Sequence, residues 1–117
     1  MNVETTLQRL TDLDEIEGAI LVGKDGLIVA GTLHSEDEEV IGAMSAATFG
    51  STTSYTTQIN HGETRRVTIE TKSGYVFMEE AGDLILVVTT RNATNIGRIR
   101  VEMRKVCRQV MQLVASY

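Results

Sequence analysis

The apolar positions of this chain change period several times, and each change marks an element. Val3, Leu7 and Leu10 recur at the spacing of one helical face, and the acidic cluster Asp12, Asp14, Glu15 and Glu17 then leads to Gly18. The spacing predicts a first helix over about residues 2 to 14. "AILV" and "LIVAG" flank "GKDG", whose Asp25-Gly26 pair signals a tight turn between antiparallel strands. Further on, "TRRVTIET" alternates Val67 and Ile69 with Arg66, Thr68 and Glu70, "KSG" leads into "YVFMEE", and "AGD" leads into "LILVVTT". These predict a three-stranded meander, with the continuously apolar last strand central and the charged first one at an edge. After Thr94, the positions Ile96, Ile99, Met103, Val106, Val110 and Leu113 predict a long closing helix. The predicted order is α-β-β-α-β-β-β-α.

The middle helix is unusual. It follows the acidic run "SEDEE", in which Ser35 is a candidate cap and the carboxylates suit the positive end of a helix. From Val40 to Gly62 there is no Asp, Glu, Lys or Arg. At about 100° per residue, Val40, Met44, Thr48, Ser51, Tyr55 and Ile59 form one stripe, which is expected to lie on a sheet. Ala43, Ala47, Gly50 and Ser54 form a second stripe of small side chains that admits close approach of another backbone. Gly42, Ser45, Phe49, Thr53 and Thr56 complete the circumference. A helix so devoid of charge is expected to be covered on more than one side, and a second copy of the chain is the simplest cover. The competing reading is a Thr-rich helix solvated by its hydroxyls; its five threonines are mediocre helix formers, so packing must stabilise it.

Composition narrows the class. At 117 residues the chain fits one domain, residues 1–117, with an aliphatic and Met-rich core, since only five aromatics and no Trp are present. The net charge of -5 argues against nucleic acid as the main partner. A single cysteine, Cys107, excludes an internal disulfide and suits a reducing compartment; among Val106 and Val110 it reads as a core residue. No signal-peptide pattern begins the chain and no apolar run could span a bilayer, so a cytoplasmic protein without integral membrane association is expected. Charge is nonetheless uneven. Residues 1 to 39 carry ten acidic and two basic groups, whereas Arg91, Arg98, Arg100, Arg104, Lys105 and Arg108 place six of the eleven basic groups around the last helix. That helix is either a docking face for an acidic partner, nucleic acid or anionic membrane, or a solvated face paired with the acidic end of the first helix.

Candidate chemistry is sparse. "GAILVGK" has the glycine-lysine spacing of a phosphate-binding loop, but its intervening Ala19, Ile20, Leu21 and Val22 favour an extended strand, and Asp25 stands where a Ser or Thr would hold Mg²⁺. His34 and His61 lack metal-ligand spacing with each other or with Cys107 and read as loop residues. Nothing groups Ser, His and Asp into a catalytic set. No cofactor and no catalysis are expected.

Taken together, "VETTLQRLTDLDEIEGAILVGKDGLIVAG", the uncharged "VIGAMSAATFGSTTSYTTQI" and "DLILVVTTRNATNIGRIRVEMRKVCRQVMQLV" resemble the roadblock/dynein light chain family over nearly the whole chain. The resemblance implies an α+β, profilin-like or longin-like layered fold. Its five-stranded antiparallel sheet would carry the central helix on one face and the terminal helices on the other. It also implies dimers joined through the central helices and adjacent edge strands, which agrees with the reading of Val40 to Gly62. On that basis Ala43, Ala47, Gly50, Ser54, Arg66 and Thr68 are the candidate interface, and Phe49, Arg104 and Arg108 are candidates for binding a further partner.

The function so implied is a non-catalytic homodimeric scaffold that binds a Ras-like small GTPase and modulates its hydrolysis. Three other readings compete: a generic protein-interaction domain without a GTPase partner, a small-molecule sensor and a nucleic-acid binder. A small-molecule sensor would enclose a ligand between sheet and helix, yet lacks a polar constellation to hold one. A nucleic-acid binder would use the last helix, against the acidic balance and the scarcity of aromatics.

Overall fold

The structure, a computed structural model, describes residues 2–32, 37–91 and 95–115. The candidate cap Ser35 and the loop residue His34 lie outside the described residues. Helix α1 (Val3–Thr11) starts where the Asn2 side chain accepts the Thr5 N–H, at 2.8 Å. It stops three residues short of the predicted end. Asp12 closes it with N–H bonds to Gln8 and Leu10, and Asp14 would add a poor helix former whose charge opposes the negative helix end. Leu13 then accepts the Ile16 N–H and turns the chain into the sheet.

The strands are β1 (Ile16–Gly23), β2 (Ile28–Gly31), β3 (Arg66–Glu70), β4 (Tyr75–Ala81) and β5 (Leu84–Thr90). They form one antiparallel sheet in the order β2-β1-β5-β4-β3. The β1–β2 turn closes with the Gly26 N–H on the Gly23 carbonyl, while the Asp25 carboxylate accepts from Leu27. Gly26 has φ +92°, a left-handed conformation that side chains disfavour. "GAILVG" is therefore strand, as its β-branched and aliphatic residues require. The apolar β5 is central and the charged β3 is an edge, as expected from their patterns.

Alternation along the strands builds two cores. On one face Ala19, Leu21, Phe77, Leu86 and Val88 pack with Leu7 and Leu10 of α1 and with Ile99, Met103, Val106, Cys107 and Val110 of α3 (Ile96–Ala115). On the other, Ile20, Val22, Met78, Ile85 and Val87 pack with Ala46 and Phe49 of α2 (Glu38–Gln58). The result is an α/β/α sandwich, with the central helix opposite the two terminal ones.

The face that α2 turns to the sheet differs from the expected one. Gly42, Ser45, Ala46 and Phe49 are buried, whereas Val40, Met44, Tyr55 and Ile59 are 58%, 64%, 67% and 44% exposed. The reason is steric. A Cβ on Gly42 would collide with the Ile28 side chain, so the missing side chain lets this side of the helix sit close to β2, and Phe49, two turns along, packs among Ile20, Val22, Met78, Ile85 and Val87.

Candidate functional site

The described surface offers three features from which a site could be built: the outer face of α2, the open edge of β3 and the outer face of α3.

On α2, Ala43, Ala47, Gly50 and Ser54 all face outward, flanked by Val40, Met44, Tyr55 and Ile59. A Cβ added to Gly50 would meet nothing within 4 Å. Two stripes that the sequence separates, one small and one apolar, thus form a single uncharged surface. Phe49 is not part of it: at 3% exposure it lies between α2 and the sheet, and it is corrected from partner-binding candidate to core anchor. An aromatic among Gly42, Ser45 and Ala46 was the available signal. It is weak because apolar residues surround this helix almost evenly, which gives hydropathy no direction to report.

Strand β3 borders the same side of the molecule. Val67 and Ile69 are half-buried and belong to the α2-side core, while Arg66, Thr68 and Glu70 are exposed on the α3 side. Arg66 Nε lies 3.7 Å from Glu79 Oε1, the Arg100 guanidinium donates to Thr68 Oγ1 at 3.1 Å, and the Tyr75 hydroxyl donates to Glu70 Oε2 at 3.1 Å. Glu79 itself is buried. It sits against the Cys107 thiol, and burial first, then the Glu79 charge, push that thiol up to about 12. Because the folded value lies above the ordinary thiol value, this group favours the fold at pH below that ordinary value and loses its contribution as pH rises toward 12. Cys107 is accordingly a core residue. In folded protein at pH 8 it is expected to resist a water-soluble thiol reagent and to react once the chain is unfolded in denaturant; labelling of native protein at the rate of a free thiol would contradict the burial.

On α3, Val101, Arg104, Lys105 and Arg108 line a shallow groove of about 260 Å³ with Arg100. Arg104 and Arg108 are both exposed, and Lys105 pairs with Glu102 at 3.3 Å. Arg91 pairs with Glu17 at 2.9 Å, and Arg98 lies beside Asp14 and Glu15. The basic end is thus partly neutralised by the acidic α1–β1 corner, and the outward cations are left at mid-helix.

Among the described residues no group of three His, Cys, Asp or Glu could hold a metal ion, and no helix is long and apolar enough to cross a membrane. His61 is exposed in the turn before β3. The cleft between α2 and the sheet, lined by Ala46, Phe49, Gly50, Thr53, Glu63, Ile85 and the Lys24–Glu80 ion pair, holds about 180 Å³, below the roughly 300 Å³ at which ligand pockets begin. Lys24 is held above its ordinary pKa, chiefly by its 2.9 Å bond to Glu80, so it remains a structural cation at neutral pH.

An α/β/α sandwich with five antiparallel strands and an uncharged outer helix face defines a small profilin-like domain. The Roadblock/LC7 domain matches residues 2–90, and the chain belongs to that family. Uncharacterized protein MJ1340 of Methanocaldococcus jannaschii is 36% identical over 109 residues, covering 92% of this chain and 96% of that one. Among solved structures, Myxococcus xanthus MglB superimposes with a TM-score of 0.90 at 19% identity, covering 98% of this chain and 96% of that one. Acanthamoeba castellanii profilin IB superimposes at 0.70 with 14% identity, over 95% and 98% of the two chains, and confirms the fold type.

Proposed function

We propose that this protein is a non-enzymatic homodimeric scaffold that binds a Ras-like small GTPase and modulates its GTP hydrolysis. The observation that carries the reading is the uncharged outer face of α2, where Val40, Met44, Tyr55 and Ile59 stand exposed around Ala43, Ala47, Gly50 and Ser54 beside an unpaired strand edge. A chain of net charge -5 has ample charge to solvate that face and does not use it there. A second copy covers it most simply, with Arg66 and Thr68 on the bordering strand. The GTPase is the partner that family membership implies, and the mid-helix cations Arg104 and Arg108 are the candidates for meeting it. No single arginine is assigned a role in hydrolysis.

The test is GTP turnover by a Ras-like GTPase from the same genome, titrated with this protein while binding is followed in the GTP and GDP states. Faster turnover with binding selective for the GTP state is the expected result. Binding without a change in rate would reduce the role to scaffolding, and no binding in either state would remove the GTPase reading while leaving self-association to its own test. Arg108→Glu is expected to weaken GTPase binding and to leave the dimer intact, since it lies on the opposite side of the sheet from α2.

A further inference from the structure

The outer row of α3 combines two features that a merely solvated helix does not need together. Val101, Arg104, Arg108 and Met111 follow one another on one helical face, opposite the buried Ile99, Met103, Val106 and Val110. Val101 is 54% and Met111 49% exposed, so an apolar side chain stands at each end of the row with two guanidinium groups between. We propose that this row docks on an anionic lipid bilayer, with Arg104 and Arg108 among the headgroup phosphates and Val101 and Met111 at the boundary with the acyl chains.

The charge is concentrated here in a chain that is otherwise acidic. Its net charge is -5, yet α3 carries Arg98, Arg100, Arg104, Lys105 and Arg108 against a single acid, Glu102. The cations at the sides of the helix have partners: Arg100 donates to Thr68, Lys105 holds Glu102, and Arg98 lies beside Asp14 and Glu15. Among the described residues Arg104 and Arg108 have no ion pair. They are the charges that an external anion can neutralise. A molecule with this overall balance approaches an anionic surface favourably only when such a row is foremost.

Shape and apolar content select the bilayer over other polyanions. The outer side of a helix is convex, the groove along it is a shallow one of about 260 Å³, and the row from Val101 to Met111 is about 15 Å long at the rise of an α-helix. A plane meets such a row along its whole length. A nucleic-acid duplex would neutralise the guanidinium groups but leave Val101 and Met111 with nothing apolar to cover them. A single strand would find no aromatic on α3 against which to stack its bases. At a bilayer surface both needs are met at once, since the cations meet lipid phosphate and the apolar side chains enter the layer beneath it. With two free cations and two modest apolar side chains the attachment is reversible and weakens as salt rises.

Sedimentation of the full chain with vesicles tests the surface. At low salt the protein should pellet with vesicles of phosphatidylserine and phosphatidylcholine in equal parts, and stay in solution with phosphatidylcholine alone. Arg104→Gln and Arg108→Gln should each lower partitioning about fivefold, and together about 25-fold. Both positions are exposed, so the substitutions leave the core untouched. Depth has its own readout. The chain has no Trp, so Met111→Trp supplies a single emission that should shift to the blue on the anionic vesicles and be quenched by brominated acyl chains. Tyr55→Trp, on α2 across the sheet, should show neither change. A protein that does not pellet, or that pellets equally well with both arginines replaced, would overturn the proposal. So would a bound Met111→Trp protein without the shift, or equal binding to a duplex oligonucleotide, either of which would reduce the row to a general anion-binding face. The assay contains no GTPase, so a negative result leaves the GTPase reading to its own titration. Because Arg104 and Arg108 are common to both surfaces, a bilayer and a GTPase would exclude each other on α3.

Discussion

Replacing Phe49 by alanine is expected to destabilise the protein by about 3–5 kcal/mol, measured as the shift of the urea midpoint at fixed protein concentration. The size follows from how little else anchors α2 through its buried residues. The helix presents Gly42, Ser45 and Ala46 to the sheet along with Phe49, and the phenyl ring is the only large side chain among these, packed with Ile20, Val22, Met78, Ile85 and Val87. Removing it leaves a cavity that the small neighbours cannot fill. A loss of this size is a large part of the 5–15 kcal/mol that usually holds a domain together. Tyr55→Ala is the control: at 67% exposure its truncation should leave the fold of the single chain nearly unchanged and weaken only association. If the two variants lost stability equally, the face of α2 turned to the sheet would be misassigned.

Arginine at Ala47 or Gly50 should abolish self-association at micromolar concentration, with light scattering falling from twice the chain mass to 12.8 kDa. Both positions are exposed at the middle of the outer face, and a Cβ at Gly50 meets no atom within 4 Å. The single chain therefore accommodates the new side chain. Exchanging glycine within a helix should even stabilise it by roughly 0.5–1 kcal/mol, since a side chain limits the unfolded backbone. In the dimer the same guanidinium would be buried without a partner, at a cost of several kcal/mol. Opposite signs for chain stability and for association make the result hard to mimic by misfolding. A dimer that survived both substitutions would place the interface elsewhere.

The elements were largely legible in the sequence because their cause is local. Period-two alternation in "TRRVTIET", the continuous apolar run of β5 and the Asp25-Gly26 turn each state a backbone preference within a few residues. The acidic end of α1 was the exception. Periodicity carried the helix to about residue 14, but Asp12 and Asp14 at its negative end stop it at Thr11. The orientation of α2 was not legible. Periodicity locates an inward face only where polar and apolar residues differ around the helix, and here charge is missing on every side. Val40, Met44, Tyr55 and Ile59 were expected on the sheet and stand outside, while Phe49 was expected outside and lies within.

By itself, then, the sequence determined an α+β fold of the roadblock type, with β5 central, β3 at an edge, Cys107 in the core and a middle helix free of Asp, Glu, Lys and Arg from Val40 onward. Those properties follow from local backbone preference and from the cost of leaving apolar surface exposed. Only the tertiary structure decided which side of α2 meets the sheet, because that depends on how closely the helix at Gly42 approaches the Ile28 side chain, where an added Cβ would collide. It also decided which backbone groups of β3 point off the open edge, since that phase is set by the pairing with β4 and is written nowhere within the five residues themselves.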